Sequence, residues 1–172
     1  MPICKFARAP QCGLFPELAN YGYCASQKET YYGFKGLLVI TAKGHLRSFY
    51  ITAANIDEPE AVLNMDLPIN AHMLGDKGFL GQEFTQTMAE NGIDMHTPMR
   101  DNMQESRSPA FVKKIMNKRR YIETVIGKLI DQFSIVKHKA RDIWRLTNKI
   151  TRKLLSYTCA LNFHGSTQFL KT

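Results

Sequence analysis

Asp76 and Glu123 are the two acids whose neighbours give them chemical interest. Asp76 ends a short apolar approach, Met73-Leu74-Gly75, and is bracketed by Gly75 and Gly78. This pattern predicts a buried strand that delivers Asp76 at its C-terminal end, then a tight turn. In open α/β sheets ligands gather at that end of the strands. The glycines admit close backbone approach or positive φ around the acid, although Gly-Asp-x-Gly is also an ordinary turn. Glu123 borders the apolar stripe of a helix, next to Ile122, and Arg119 lies four residues earlier on the same face. That spacing alone fits a surface ion pair worth about a few tenths of a kcal/mol. It fits equally a metal ligand beside an arginine that grips phosphate. Carboxylates from a strand end and a packed helix can hold two Mg²⁺ ions about 3.5–4 Å apart for in-line phosphoryl chemistry.

The elements that must position these acids follow from pattern. Pro2 to Phe6 alternates like a strand, and residues 11–30 read as an irregular, turn-rich loop. Tyr21, Tyr23, Tyr31 and Tyr32, in or beside that loop, are expected to pack on a sheet rim. Residues 36–41 and 46–52, joined across Lys43-Gly44, form a β-hairpin signal. Asp57 is placed to cap a short helix with Glu58, Pro59 and Glu60 in its first turn. A polar helix over residues 81–91, ended by Gly92, follows the Asp76 strand, and 93–99 reads as a further short strand. Residues 101–109 lack periodicity. Phe111, Ile115, Ile122, Ile126, Leu129 and Phe133 then repeat with helical spacing. A second helix over 140–161 has Ile143, Leu146, Ile150, Leu154, Tyr157 and Leu161 on one stripe and Arg141, Arg145, Lys149, Arg152 and Lys153 on the other face. Strands alternating with helices predict a mixed α/β sheet with flanking helices. The expected organisation is one domain over 1–172 with a basic helical part at 111–161. The hairpin is expected antiparallel, with strands 71–76 and 93–97 added beside it in the same sheet.

Charge is unevenly spread. Residues 113–153 hold 13 Lys and Arg against 3 acids, while the rest of the chain holds 10 against 12, so the whole net charge of +8 comes from that region. A localised basic surface is the footprint of a polyanionic partner. No apolar run approaches the length of a membrane span, and Met1 to Pro10 lacks the apolar core of a signal peptide. Cys4, Cys12, Cys24 and Cys159 have neither CxxC nor zinc-finger spacing and read as reduced thiols of a cytoplasmic protein.

Five blocks occur in order: Cys4-Lys5-Phe6-Ala7-Arg8-Ala9, Tyr31-Tyr32-Gly33-Phe34-Lys35-Gly36, residues 52–58 from Thr52 to Glu58, Leu74-Gly75-Asp76-Lys77-Gly78-Phe79, and residues 119–127 from Arg119 to Gly127. Together they resemble the catalytic domain of bacterial insertion-sequence DDE transposases, over nearly the whole chain. The resemblance implies a ribonuclease-H-like fold and Mg²⁺- or Mn²⁺-dependent cleavage and transfer of DNA strands. It implies DNA as partner, a homo-oligomer in the full-length enzyme, and a cytoplasmic, nucleoid-associated protein. Asp76 matches the family's second catalytic Asp, Glu123 its Glu, and Arg119 the Arg of its Tyr-x2-Arg-x3-Glu-x6-Lys signature. Lys77, Lys118, Arg119, Arg120 and Lys128 are the expected DNA-binding residues. Three features depart from the family. No acid precedes Glu17, so the first catalytic Asp and the start of its strand are absent, which reads as an N-terminally truncated, inactive chain. Met116 and Ile130 stand at the signature's Tyr and Lys positions. The N-terminal helical DNA-binding region is also absent. The competing reading is a non-catalytic DNA-binding module that uses the basic helices of 113–153.

Overall fold

A computed structural model describes residues 1–6 (backbone alone for 4–6), 14–25, 27–99, 106–136, 138 and 140–163. The expectations for Cys12, for the 101–105 part of the aperiodic stretch and for the last residues, 164–172, lie outside these, as does the Cys4 side chain.

The centre is β3 (Glu29–Ile40), a twelve-residue strand. Its second half pairs antiparallel with β4 (Leu46–Ala53), with Leu38 opposite Phe49, as the hairpin signal predicts. β1 (Pro2–Phe6) also pairs antiparallel with β3, Ile3 opposite Phe34. β2 (Asn20–Cys24) pairs with the first half of β3, Tyr21 opposite Tyr32. The loop expected at 11–30 therefore contains a strand. Gly22, which reads as a turn signal, serves close approach instead: a Cβ there would collide with the Ala54 carbonyl. The tyrosines divide, Tyr31 being buried while Tyr21 and Tyr23 stay exposed.

Strand periodicity puts the hairpin between two cores. Phe34, Leu38, Ile40, Phe49 and Ile51 face one cluster, which they share with Ile3 and two long helices. These are α3 (Pro109–Asp131) and α4 (Ile143–Phe163). Leu37, Val39 and Tyr50 face the other cluster, with α1 (Glu58–Leu63), α2 (Gln82–Glu90), β5 (Ala71–Leu74) and β6 (Ile93–His96). The architecture is mixed α/β, as expected. The continuous sheet is not found: β5 and β6 form a separate two-stranded parallel sheet. A cleft intervenes, because β1 reaches along β3 only to Gly36, whose N–H donates to the Met1 carbonyl at 2.8 Å.

Smaller corrections follow helical phase. Asp57 is the N-cap of α1, yet its side chain accepts no capping bond. Phe111 and Ile143, placed on the apolar stripes, are partly exposed, whereas Val125 is buried to 1 %. Two tyrosines tie the long helices to the hairpin turn. Tyr121 Oη donates to the Lys43 carbonyl at 3.3 Å, and the buried Tyr157 Oη donates to that of Gly44 at 2.9 Å. No helix among the described residues is long and apolar enough to cross a membrane.

Candidate metal and DNA site

Asp76 follows β5 by two residues, and three local features hold it there. Gly75 N–H donates to the His96 carbonyl at 2.9 Å, extending the β5–β6 ladder to the residue before the acid. The Asp76 carboxylate accepts from Lys77 N–H at 2.6 Å, capping a single 3₁₀ turn, Lys77–Phe79. At Gly75 a Cβ would strike the Met95 methyl and sit 3.0 Å from the Phe79 ring. Its glycine is thus required for close packing, not for positive φ. Gly78 shows neither constraint.

Glu123 is delivered by α3. Ser108 accepts from Phe111 N–H at 3.3 Å and Pro109 occupies the first turn, so the helix start is fixed. Val125 and Leu129 anchor the inner face, which turns Arg119 and Glu123 towards the end of β5. Arg119 Nη2 lies 3.2 Å from Asp76 Oδ1 and 3.2 Å from Glu123 Oε1. The two carboxylate oxygens are therefore at most twice that distance apart. The expected convergence of strand acid and helix acid is present. Both carboxylates are more than half exposed, and Arg119 is 27 % exposed.

The trio stands at the mouth of a cleft of about 580 Å³ between β3, β5 and α3. Its apolar wall includes Leu38, Ile40, Met73, Leu74, Ile122 and Ile126. Glu58, read from sequence only as a helix first-turn acid, lines the same cleft. Its position followed from no local pattern, since it depends on how α1 packs against the cleft.

The expected DNA-binding residues separate. Lys77, Lys118 and Arg120 are exposed, and Lys118 lines the cleft. Arg119 is half-buried and engaged by the two acids. Lys128 is a correction: it is 9 % exposed, and burial pushes its ammonium pKa down. It lies three residues after Val125 and beside Leu129, so helical phase carries it inward and away from any polyanion. Met116 and Ile130 are half-buried, and Ile130 packs against the core at the position where the signature has a Lys.

Two carboxylates from different elements that meet at one guanidinium are donors of the kind suited to hard divalent ions such as Mg²⁺ or Mn²⁺. The guanidinium between them already shows that the pair recruits positive charge. Among the described residues one other group could hold a metal: His72, Asp94 and His96 on the β5–β6 sheet.

No curated protein and no solved structure matches the chain. The sequence profile described as the transposase DDE domain matches residues 1–143. The match spans four-fifths of the chain, and the chain belongs to the transposase DDE domain family.

Proposed function

We propose that this is the catalytic domain of a metal-dependent DNA transposase, with Asp76 and Glu123 as two of its metal-binding acids. The supporting observation is their meeting at Arg119 beside the basic face of α3. Mg²⁺ bound by these carboxylates would activate a water or a 3′-hydroxyl for attack on a DNA phosphodiester. The chain's own residues supply position and charge. Asp76 is fixed by the Lys77 N–H, Arg119 would exchange its acid partners for a phosphate once a cation neutralises them, and Lys118 and Arg120 would hold the DNA backbone. The fold would be a ribonuclease-H-like framework, with β3 and β5 lining one cleft.

No acid precedes Glu17 in this sequence, so Asp76 and Glu123 are the two acids assigned here. Electrostatic positioning accounts for most of phosphoryl-transfer catalysis. With two of the three acids that the resemblance implies, these 172 residues should not cleave DNA by themselves. The test is plasmid nicking with Mg²⁺ or Mn²⁺. The chain itself should not nick. An extension of β1 ahead of Met1 that places an aspartate beside Asp76 should nick, and Asp76→Ala or Glu123→Ala should abolish this. Failure of the extended chain to nick, or nicking indifferent to Asp76→Ala, overturns the reading. Nicking by the unextended chain would move the third acid to Glu58 or Asp57.

A further inference from the structure

The β5–β6 sheet carries a second cluster, separate from the acids just described. Parallel register sets His72 opposite Asp94 and Leu74 opposite His96. Asp94 and His96 are two residues apart on one strand, so they share a face, and the register brings His72 to that same face. His72 Nδ1 lies 3.0 Å from Asp94 Oδ2 and 3.2 Å from His96 Nε2, and His96 Nε2 lies 3.1 Å from Asp94 Oδ2. The imidazoles stack at 5.4 Å between centroids, and the Phe111 ring meets His96 edge-on at 5.2 Å.

Hydrogen bonds serve such a triangle poorly. Each neutral imidazole brings a single N–H, on one of its two nitrogens, and the ionised carboxylate brings none. At most two protons then serve three contacts. With both in place, the two N–H groups face each other across 3.2 Å. A cation seated just above the triangle would take a lone pair from each of the three atoms. Ligand atoms about 2.0–2.1 Å from a metal lie about 3.0 Å apart at right angles and about 3.4 Å apart in a tetrahedron. The observed edges fall in that range. Two imidazole nitrogens and one carboxylate oxygen suit Zn²⁺ and its neighbours rather than Mg²⁺.

We propose that His72, Asp94 and His96 form a Zn²⁺-class site that clips β5 to β6. A two-stranded sheet is marginal by itself, and the clipped strand runs directly into Gly75 and Asp76. Three protein ligands leave at least one position for water. The His72 and Asp94 side chains are 78 % and 58 % exposed, so the ion enters from solvent, while His96 at 16 % is the anchoring ligand. This inference stands independently of the acids at Asp76 and Glu123.

The experiment is Co²⁺ titration of the chelator-treated full chain, followed by visible d–d absorption, with Zn²⁺ as competitor. One Co²⁺ should bind with the intense d–d bands of a low-coordinate, imidazole-ligated ion and be displaced by Zn²⁺, without a thiolate-to-cobalt charge-transfer band; a hydrated ion on the carboxylates of Asp76 and Glu123 absorbs only weakly and is not counted. His72→Gln and His96→Gln should each weaken the binding read from these bands by about tenfold or more, and the bands should persist in Asp76→Asn. Zn²⁺ should raise the melting temperature of the wild type but not of His72→Gln. The exposure of His72 keeps that variant informative if His96→Gln fails to fold. No saturable Co²⁺ binding, binding indifferent to His72→Gln, a thiolate band, or loss on Asp76→Asn would each overturn the site.

Discussion

Arg119 is the residue on which the site turns. It bridges Asp76 and Glu123 and, on the proposed reading, would compete with a metal for the same negative charge. Removing it should tighten divalent binding by about two- to fivefold, the scale of an exposed ion pair of up to ~1 kcal/mol. The same Arg119→Ala change should weaken DNA binding. Isothermal titration with Mn²⁺ and with duplex DNA checks both signs, and loss of both affinities together would assign Arg119 a structural role. Lys128 gives the opposite case. Because it is buried, Lys128→Ala should leave the salt dependence of DNA binding untouched. Asp76, Glu123 and Arg119 were legible in the sequence because a strand-end motif and an i,i+4 helix pair are local patterns. Lys128 was misread because a single lysine can sit on the inner side of a stripe whose phase local spacing does not fix. His72, Asp94 and His96 were not legible as a group. Their meeting depends on the register between two strands separated by a whole helix.

At the scale of elements, the hairpin and α3 were readable from alternation and from helical spacing. β2 and the division into two sheets were not, because strand pairing is non-local and the long β3 templates a partner on its first half. The hairpin's own stability rests partly on the buried Tyr157 hydroxyl bonded to Gly44. Burial pushes that phenol up to about 12, so it remains a donor throughout the accessible pH range. Tyr157→Phe should cost about 1–2 kcal/mol in urea unfolding; an unchanged midpoint would remove this clamp from the account. His138, between α3 and α4, supplies a pH dependence. Burial, and then the nearby Lys153 charge, push its pKa from 6.5 to about 4. The unfolded chain therefore binds more protons than the folded one between those values. The stability from neutral His138 is full above about pH 6.5 and is lost as pH falls through about 4. Unfolding midpoints measured from pH 7 down to pH 4 should decline, and His138→Phe should flatten that decline.

For the whole molecule, charge segregation decides how it meets a partner. On α3, Lys113, Lys114, Lys118 and Arg120 are exposed, and near or on α4 so are Arg141, Arg145 and Arg152. Lys153 is committed elsewhere, with its Nζ donating to the Ser134 carbonyl at 2.6 Å. Exposed Lys and Arg side chains of this kind meet DNA through its phosphates, so on the proposed reading affinity should be sequence-independent and fall steeply with salt. Arg120→Ala should reduce the slope of log K against log salt by about one. A shallow slope would mean that the basic helices face something other than nucleic acid. DNA binding alone would also be shown by a non-catalytic module, so it does not test the acids. The direct test is Mn²⁺ binding followed by electron paramagnetic resonance, performed in a His96→Gln background to remove the second site. The account predicts one bound Mn²⁺ that is lost on Asp76→Asn and again on Glu123→Gln. A Mn²⁺ affinity unchanged by both substitutions would contradict it.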